Sequence, residues 1–204
     1  MKQIFQYLRG TQTHTLTYCG PKSTKLKIFC DADWASNADR KSTSGYVLLF
    51  AGAAVTWSAK KQSTIALSTA EAEYIAATHV AKQVLWHRTF CEELGIPQPT
   101  TSTIYCDNQA AIAIAHHLEF HARTKHIDIA YNFLRDLVES GTLDIVYVPS
   151  RENLADLFTK GLPKPFHWEL TNGLGVMLLG MRKKGHEHTR TLLTKILLTH
   201  IFGT

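Results

Sequence analysis

Residues 102–117 read "STIYCDNQAAIAIAHH", and the change of pattern inside this stretch decides the fold class. Residues 102–107, "STIYCD", read as a hydrophobic strand, while the alanines and isoleucines over about 108–117 favour a helix. A strand that runs straight into a helix is a unit of an α/β domain. Asp107 sits at the junction, on the strand edge where ligand sites of open α/β sheets form.

Working outward, "LKIFCD" (26–31) is a second strand of the same kind, also ending in Cys-Asp. Strands at about 44–50 and 54–59 are joined by the short link "AGA", which predicts an antiparallel hairpin. A helix follows over about 69–94, and after the strand-helix unit comes another helix over about 125–139, closed by Gly141 as a C′ residue. "LDIVYV" (143–148) is the fifth strand, a short helix over about 153–160 is last, and "KGLPKP" ends the pattern. The order βββαβααβα predicts an α/β domain with a mixed five-stranded sheet flanked by helices. Before it, "KQIFQYLRG" forms a short helix, followed by an extended piece and a turn at "CGPKS" (19–23).

A chain of 204 residues with 45% hydrophobic content supports one well-buried core with chain to spare. The net charge of +5 is unevenly spread: residues 181–204 carry five Lys/Arg against Glu187 alone, which leaves 17 basic and 16 acidic groups elsewhere. A nucleic-acid partner must therefore be argued from local clusters rather than from overall charge. Four cysteines without a CxxC pair, and no signal-peptide pattern, argue against a disulfide framework or structural zinc and for a reducing compartment. The run "TLLTKILLTHIF" is broken by Lys195 and His200 and is shorter than the roughly 20 residues of a membrane span.

The acidic residues carry the chemistry. Asp31 and Asp107 end two strands; each taken singly reads as a strand end or a helix cap, and the matched placement is what points to a site. Because strand side chains alternate, Cys30 and Cys106 are expected to point away from the aspartates into packing. In "IALSTAEAEYIAA" (65–77), Ser68 and Glu71 have the spacing of a capping box, which gives Glu71 a structural task. Glu73 heads the row Ala76, Ala77, Val80 and Val84, the sheet-facing side of the helix. An acid there is costly to bury without a cation, so Glu73 is the candidate metal ligand. Asp156, three residues after a capping Asn153, also fits a plain first-turn acid. Carboxylates alone, without Cys or His, make a hard oxygen site suited to Mg²⁺ or Mn²⁺.

"DADWA" (31–35), "DRKSTSGYV" (39–47), "VTWSAKKQSTIALSTAEAEYIA" (55–76), "YCDNQAAI" (105–112), "RTKHIDI" (123–129) and "SRENLADLFTK" (150–160) together resemble the ribonuclease H domain of copia-type retrotransposon Pol polyproteins. The resemblance covers residues 24–162, with 1–23 similar to the connection after a reverse transcriptase and 163–204 a basic, partly amphipathic extension. It implies a ribonuclease H-like fold and an acidic quartet at Asp31, Glu73, Asp107 and Asp156. It further implies two Mg²⁺ ions, replaceable by Mn²⁺, and hydrolysis of the RNA strand of an RNA–DNA hybrid.

The implied partners are the hybrid and a reverse transcriptase domain of the same polyprotein, with no membrane and no small-molecule cofactor, in a cytoplasmic particle or the nucleus. Candidate backbone contacts are Arg40, Lys41, Ser42, Thr43, Arg123, Lys125, His126 and Arg151. Trp34 is available for stacking, whereas Trp57 is expected in the core.

Two departures from the family bear on turnover. The 34 residues between Asp107 and Thr142 leave no room for the basic protrusion of cellular relatives, and the loop "VPSREN" lacks the histidine found before the last helix in many of them. The competing expectation is a catalytically silent hybrid-binding or structural remnant of a retroelement. An integrase of the DDE type is disfavoured because Glu73 precedes Asp107.

Overall fold

A computed structural model describes residues 2–18, 24–116 and 125–179, with backbone alone for 125–131. In chain order the elements are α1 (Lys2–Gly10), β1 (His14–Leu16), β2 (Lys27–Asp33), β3 (Thr43–Phe50), β4 (Ala53–Lys61), α2 (Thr69–Glu93), β5 (Ser102–Cys106), α3 (Gln109–His116), α4 (Lys125–Glu139) and β6 (Leu143–Tyr147). Two 3₁₀ turns (Ser150–Glu152 and Leu154–Phe158), α5 (Lys164–Gly173) and β7 (Val176–Leu178) complete it.

The main sheet has the order β4-β3-β2-β5-β6. β3 pairs antiparallel with both β2 and β4, while β5 is parallel to β2 and to β6. A mixed five-stranded sheet of this order, with helices packed on it, is a ribonuclease H-like fold. The β3–β4 hairpin turns on Ala51 and Gly52, both with positive φ (52° and 82°), the requirement of a type I′ turn.

One face of the sheet carries Ile28, Cys30, Leu48, Ile104 and Cys106 and is covered by Tyr74, Ala77, Val80 and Val84 of α2, Ala111 and Ala115 of α3, and Leu134 of α4. The other face carries Val47, Leu49, Ala54 and Phe29, packed against Leu154, Phe158 and Leu174. That second layer differs from expectation: the last helix predicted over 153–160 is a pair of 3₁₀ turns, and a regular helix comes only at α5. The turns are held by tertiary bonds. Asn153, fully buried, caps the second one by accepting from Ala155 N (3.2 Å) and donates to Cys30 O of β2 (3.0 Å).

Close approach of this segment depends on Gly45, which pairs with Asp31 across β2 and β3. A Cβ on Gly45 would lie 2.6 Å from Thr159 Cγ2, 3.0 Å from Phe158 Cβ and 3.2 Å from the Ala155 carbonyl. Gly45→Ala is expected to cost about 1–3 kcal/mol, as overpacked cores do, and to displace residues 155–159. Urea unfolding checks it, and an unchanged midpoint would mean the segment yields freely.

β1 and β7 form a separate two-stranded antiparallel pair, joined to the domain by Ala54 N donating to Leu174 O. Residues 163–179 thus pack on the domain, and α1 leaves Ile4, Phe5, Tyr7 and Leu8 exposed. Trp57, expected in the core, is instead 56% exposed on β4, the edge strand of the sheet. Among the described residues no helix is long and apolar enough to cross a membrane. Cys30, Cys91 and Cys106 are free thiols.

Candidate active site

β2 and β5 run side by side, so Asp31, inside the end of β2, and Asp107, just past β5, come to the same sheet edge. Glu73 arrives from the first turns of α2, and Asp156 from the 3₁₀ turn on the opposite face. One oxygen each of Asp31, Asp107 and Asp156 lies within 4.8 Å of the others, and the same holds for ligand atoms of Glu73, Cys106 and Asp107. Asp107 belongs to both groups. Asp31, Glu73 and Asp156 are buried and Asp107 is half-buried.

The two glutamates of α2 divide as their positions require. Ser68 caps the helix by accepting from Glu71 N (3.2 Å), and Glu71 Oε2 accepts from the Leu67 amide (2.7 Å). The return bond goes to the residue before the cap rather than to the cap itself. Removing the cap by Ser68→Ala should cost about 1 kcal/mol of stability, and Glu71→Gln should lower the melting temperature while leaving the acidic cluster intact. Thermal unfolding reads both, and a Glu71→Gln protein that lost divalent-ion binding would contradict this division.

Glu73 faces the sheet. Burial pushes its carboxyl up to about 11, with Asp31, Cys106 and Asp107 adding to the rise and a hydrogen bond to the Ala32 backbone opposing it. Burial likewise lifts Asp156 to about 6, reinforced by Asp31 and opposed by Lys160. Such elevation marks carboxylates gathered without enough positive charge.

Cys106 differs from expectation in two respects. It is buried against Cys30 in the core, but its thiol also lies 3.9 Å from Glu73 Oε2, within weak hydrogen-bond reach, so it forms the floor of the site. The expectation that Cys106 points away from Asp107 is corrected as well: β5 ends at Cys106, so Asp107 lies beyond the alternating strand, and its carboxylate comes within 4.8 Å of the Cys106 thiol.

Lys160 and Thr159, at the end of the "LFTK" stretch, were not singled out from the sequence. Lys160 Nζ lies 3.0 Å from Asp31 Oδ1 and 3.0 Å from Asp156 Oδ1, and Thr159 Oγ1 donates to Asp31 Oδ2. The i,i+4 spacing of Asp156 and Lys160 was the available signal; the contact with Asp31 spans 129 residues and left none. Asp156 also lines a cleft of about 470 Å³ with Ser150, Arg151, Pro165, Phe166 and Glu169.

The basic candidates are scattered. Arg40 is exposed in the loop between β2 and β3, and Lys41 and Thr43 are partly exposed beside it. Ser42 is fully buried and accepts from Ala35 N (3.2 Å), so it shapes that loop from inside and is not on its surface. Asp39 braces the same loop by pairing with Lys61 (2.8 Å). Arg151 is exposed, 3.6 Å from Glu169. Lys125 and His126 open α4, their side chains undescribed, and Arg123 lies outside the described residues. Trp34 is exposed while its indole donates to Ala66 O (3.0 Å).

The donor set fits hard divalent cations: carboxylates from four elements converge, and a lysine ammonium already meets part of their demand for positive charge. No family model matches the chain. It is 43% identical over 165 residues to the retrovirus-related Pol polyprotein of the tobacco transposon TNT 1-94, covering 80% of this chain and 12% of that protein. It is 36% identical over 177 residues to the corresponding polyprotein of the Arabidopsis transposon RE1, covering 86% of this chain and 12% of the relative. The chain thus spans 12% of the length of these curated relatives. Among solved structures, a ribonuclease H1 isolated from compost matches at 15% identity and a TM-score of 0.49, over 67% of this chain and 93% of that one.

Proposed function

We propose, for a chain that belongs to the copia-type retrotransposon Pol family, that it is the ribonuclease H of such a polyprotein and hydrolyses the RNA strand of RNA–DNA hybrids. The observation that carries this reading is the sharing of Asp107 between two ligand groups at one sheet edge. Asp31, Glu73, Asp107 and Asp156 would hold two Mg²⁺ ions, or Mn²⁺ in their place. Bound there, such ions activate a water and neutralise charge on the scissile phosphate.

The chain's own residues supply the rest. Buried carboxylates fixed on β2, α2 and the Asn153-pinned turn need little rearrangement to ligate, which favours catalysis by preorganisation. Arg40, Lys41, Thr43 and Arg151 would meet the phosphate backbone, and contacts to the 2′-hydroxyl would select RNA over DNA. Arg123, Lys125 and His126 are proposed to extend this surface. Residues 24–162 would be the catalytic unit, with 1–23 the connection from a reverse transcriptase and 163–204 an extension. The exposed apolar residues of α1 suit packing against that preceding domain.

Cleavage of hybrids carrying a label on either strand tests the reading. RNA cleavage that requires Mg²⁺ or Mn²⁺ supports it; a chain that binds hybrid and cuts neither strand, even with a reverse transcriptase domain supplied, would mark a silent remnant.

A further inference from the structure

We propose that Lys160 is a built-in counter-cation for the Asp31–Asp156 half of the acidic cluster, and that a divalent ion enters this half by exchange with its ammonium group. The inference rests on the metal-binding part of the function proposed above.

The two halves of the cluster are neutralised differently. Asp31 and Asp156 share the Lys160 ammonium at 3.0 Å each, and the second oxygen of Asp31 accepts from Thr159. Among the described residues no lysine or arginine pairs with Glu73 or Asp107. A cation arriving at Glu73 and Asp107 meets no lysine or arginine, whereas one arriving at Asp31 and Asp156 competes with a tethered positive charge. Geometry also favours release. The side chains of Asp31 and Asp156 are 0% and 5% exposed, but that of Lys160 is 35% exposed and reaches in from solvent. Its flexible stem lets the ammonium swing out without disturbing Asn153 or the backbone of the turn. Two functions follow: Lys160 stabilises the ion-free fold, and it separates the affinities of the two ion positions.

Mn²⁺ titration of the full chain without nucleic acid, counting bound ions by electron paramagnetic resonance, tests this against Lys160→Met, Lys160→Gln and Lys160→Arg. The neutral variants should tighten the weaker Mn²⁺ site by roughly tenfold, the scale of one lost charge competitor, and should melt at lower temperature in EDTA. Lys160→Arg, which keeps the charge, should titrate closer to the parent than either neutral variant. The assignment is overturned if both neutral variants bind Mn²⁺ as weakly as the parent, or more weakly. A chain that shows the predicted ranking and leaves hybrids uncut defeats the proposed activity but not the role of Lys160. Unchanged binding in a chain that does cut hybrids defeats the role of Lys160 alone, and no Mn²⁺ binding by parent or variants defeats both.

Discussion

Asp107→Asn is expected to abolish RNA-strand cleavage, with a loss on the order of 10³-fold or more, because metal-assisted charge stabilisation is worth several kcal/mol. Asp107 carries this weight because it contributes to both ligand groups, Asp31–Asp107–Asp156 and Glu73–Cys106–Asp107. An amide keeps the size and one oxygen but removes the charge. The substitution should therefore weaken both ion positions, whereas Asp156→Asn should weaken mainly the one beside Lys160. The fold should survive, since Asp107 is half-buried and follows β5 rather than lying within it. Mn²⁺ stoichiometry measured beside cleavage would separate the two effects. An Asp107→Asn protein that still binds two ions and cuts at the parental rate would remove Asp107 from the site.

The second large effect is on stability. In EDTA the chain should melt at a lower temperature at pH 8 than at pH 5, by on the order of 5 °C or more. The sign follows from proton binding. Glu73 is lifted from 4.5 to about 11 by burial and by Asp31, Cys106 and Asp107. Asp156 is lifted from 3.8 to about 6 by burial and by Asp31. In each window the native state holds a proton that the unfolded state has released, so stability falls as pH rises. Between pH 6 and 8 the slope belongs mainly to Glu73, and Glu73→Gln should flatten it. Saturating Mg²⁺ should raise the melting temperature most at pH 8, where cations compete with fewer protons. Thermal unfolding at several pH values decides it. A parent and a Glu73→Gln variant whose melting temperatures run parallel from pH 6 to pH 8 in EDTA would mean that Glu73 is already charged.

Local patterns account for what was legible in the sequence. Strands β2, β3, β4, β5 and β6 and helices α2, α3 and α4 follow from periodicity and end signals, and the Ser68–Glu71 spacing marks the start of α2. The same spacing separates the tasks of Glu71 and Glu73, because a capping residue and a sheet-facing residue lie on different sides of one helix.

What was not legible depends on contacts between distant parts of the chain. Residues 153–158 look like a helix start, yet Asn153 is tied to Cys30 and Gly45 admits the backbone so closely that a tight 3₁₀ turn results. Lys160 reads as a surface residue after a helix until β2 brings Asp31 to it. The exposure of Trp57 follows from the place of β4 at the sheet edge, which strand periodicity does not encode. Cys106 is buried in the core as expected, but it does not turn from Asp107: the strand ends at Cys106, and the thiol meets both Glu73 and Asp107 at the floor of the site.

The most direct test of the central claim is an RNA–DNA hybrid labelled separately on each strand and incubated with the chain in Mg²⁺ and in EDTA, with a reverse transcriptase domain added in parallel. The account predicts cleavage confined to the RNA strand, present in Mg²⁺ and absent in EDTA. Cleavage of the DNA strand, or an intact hybrid in every condition, would contradict it.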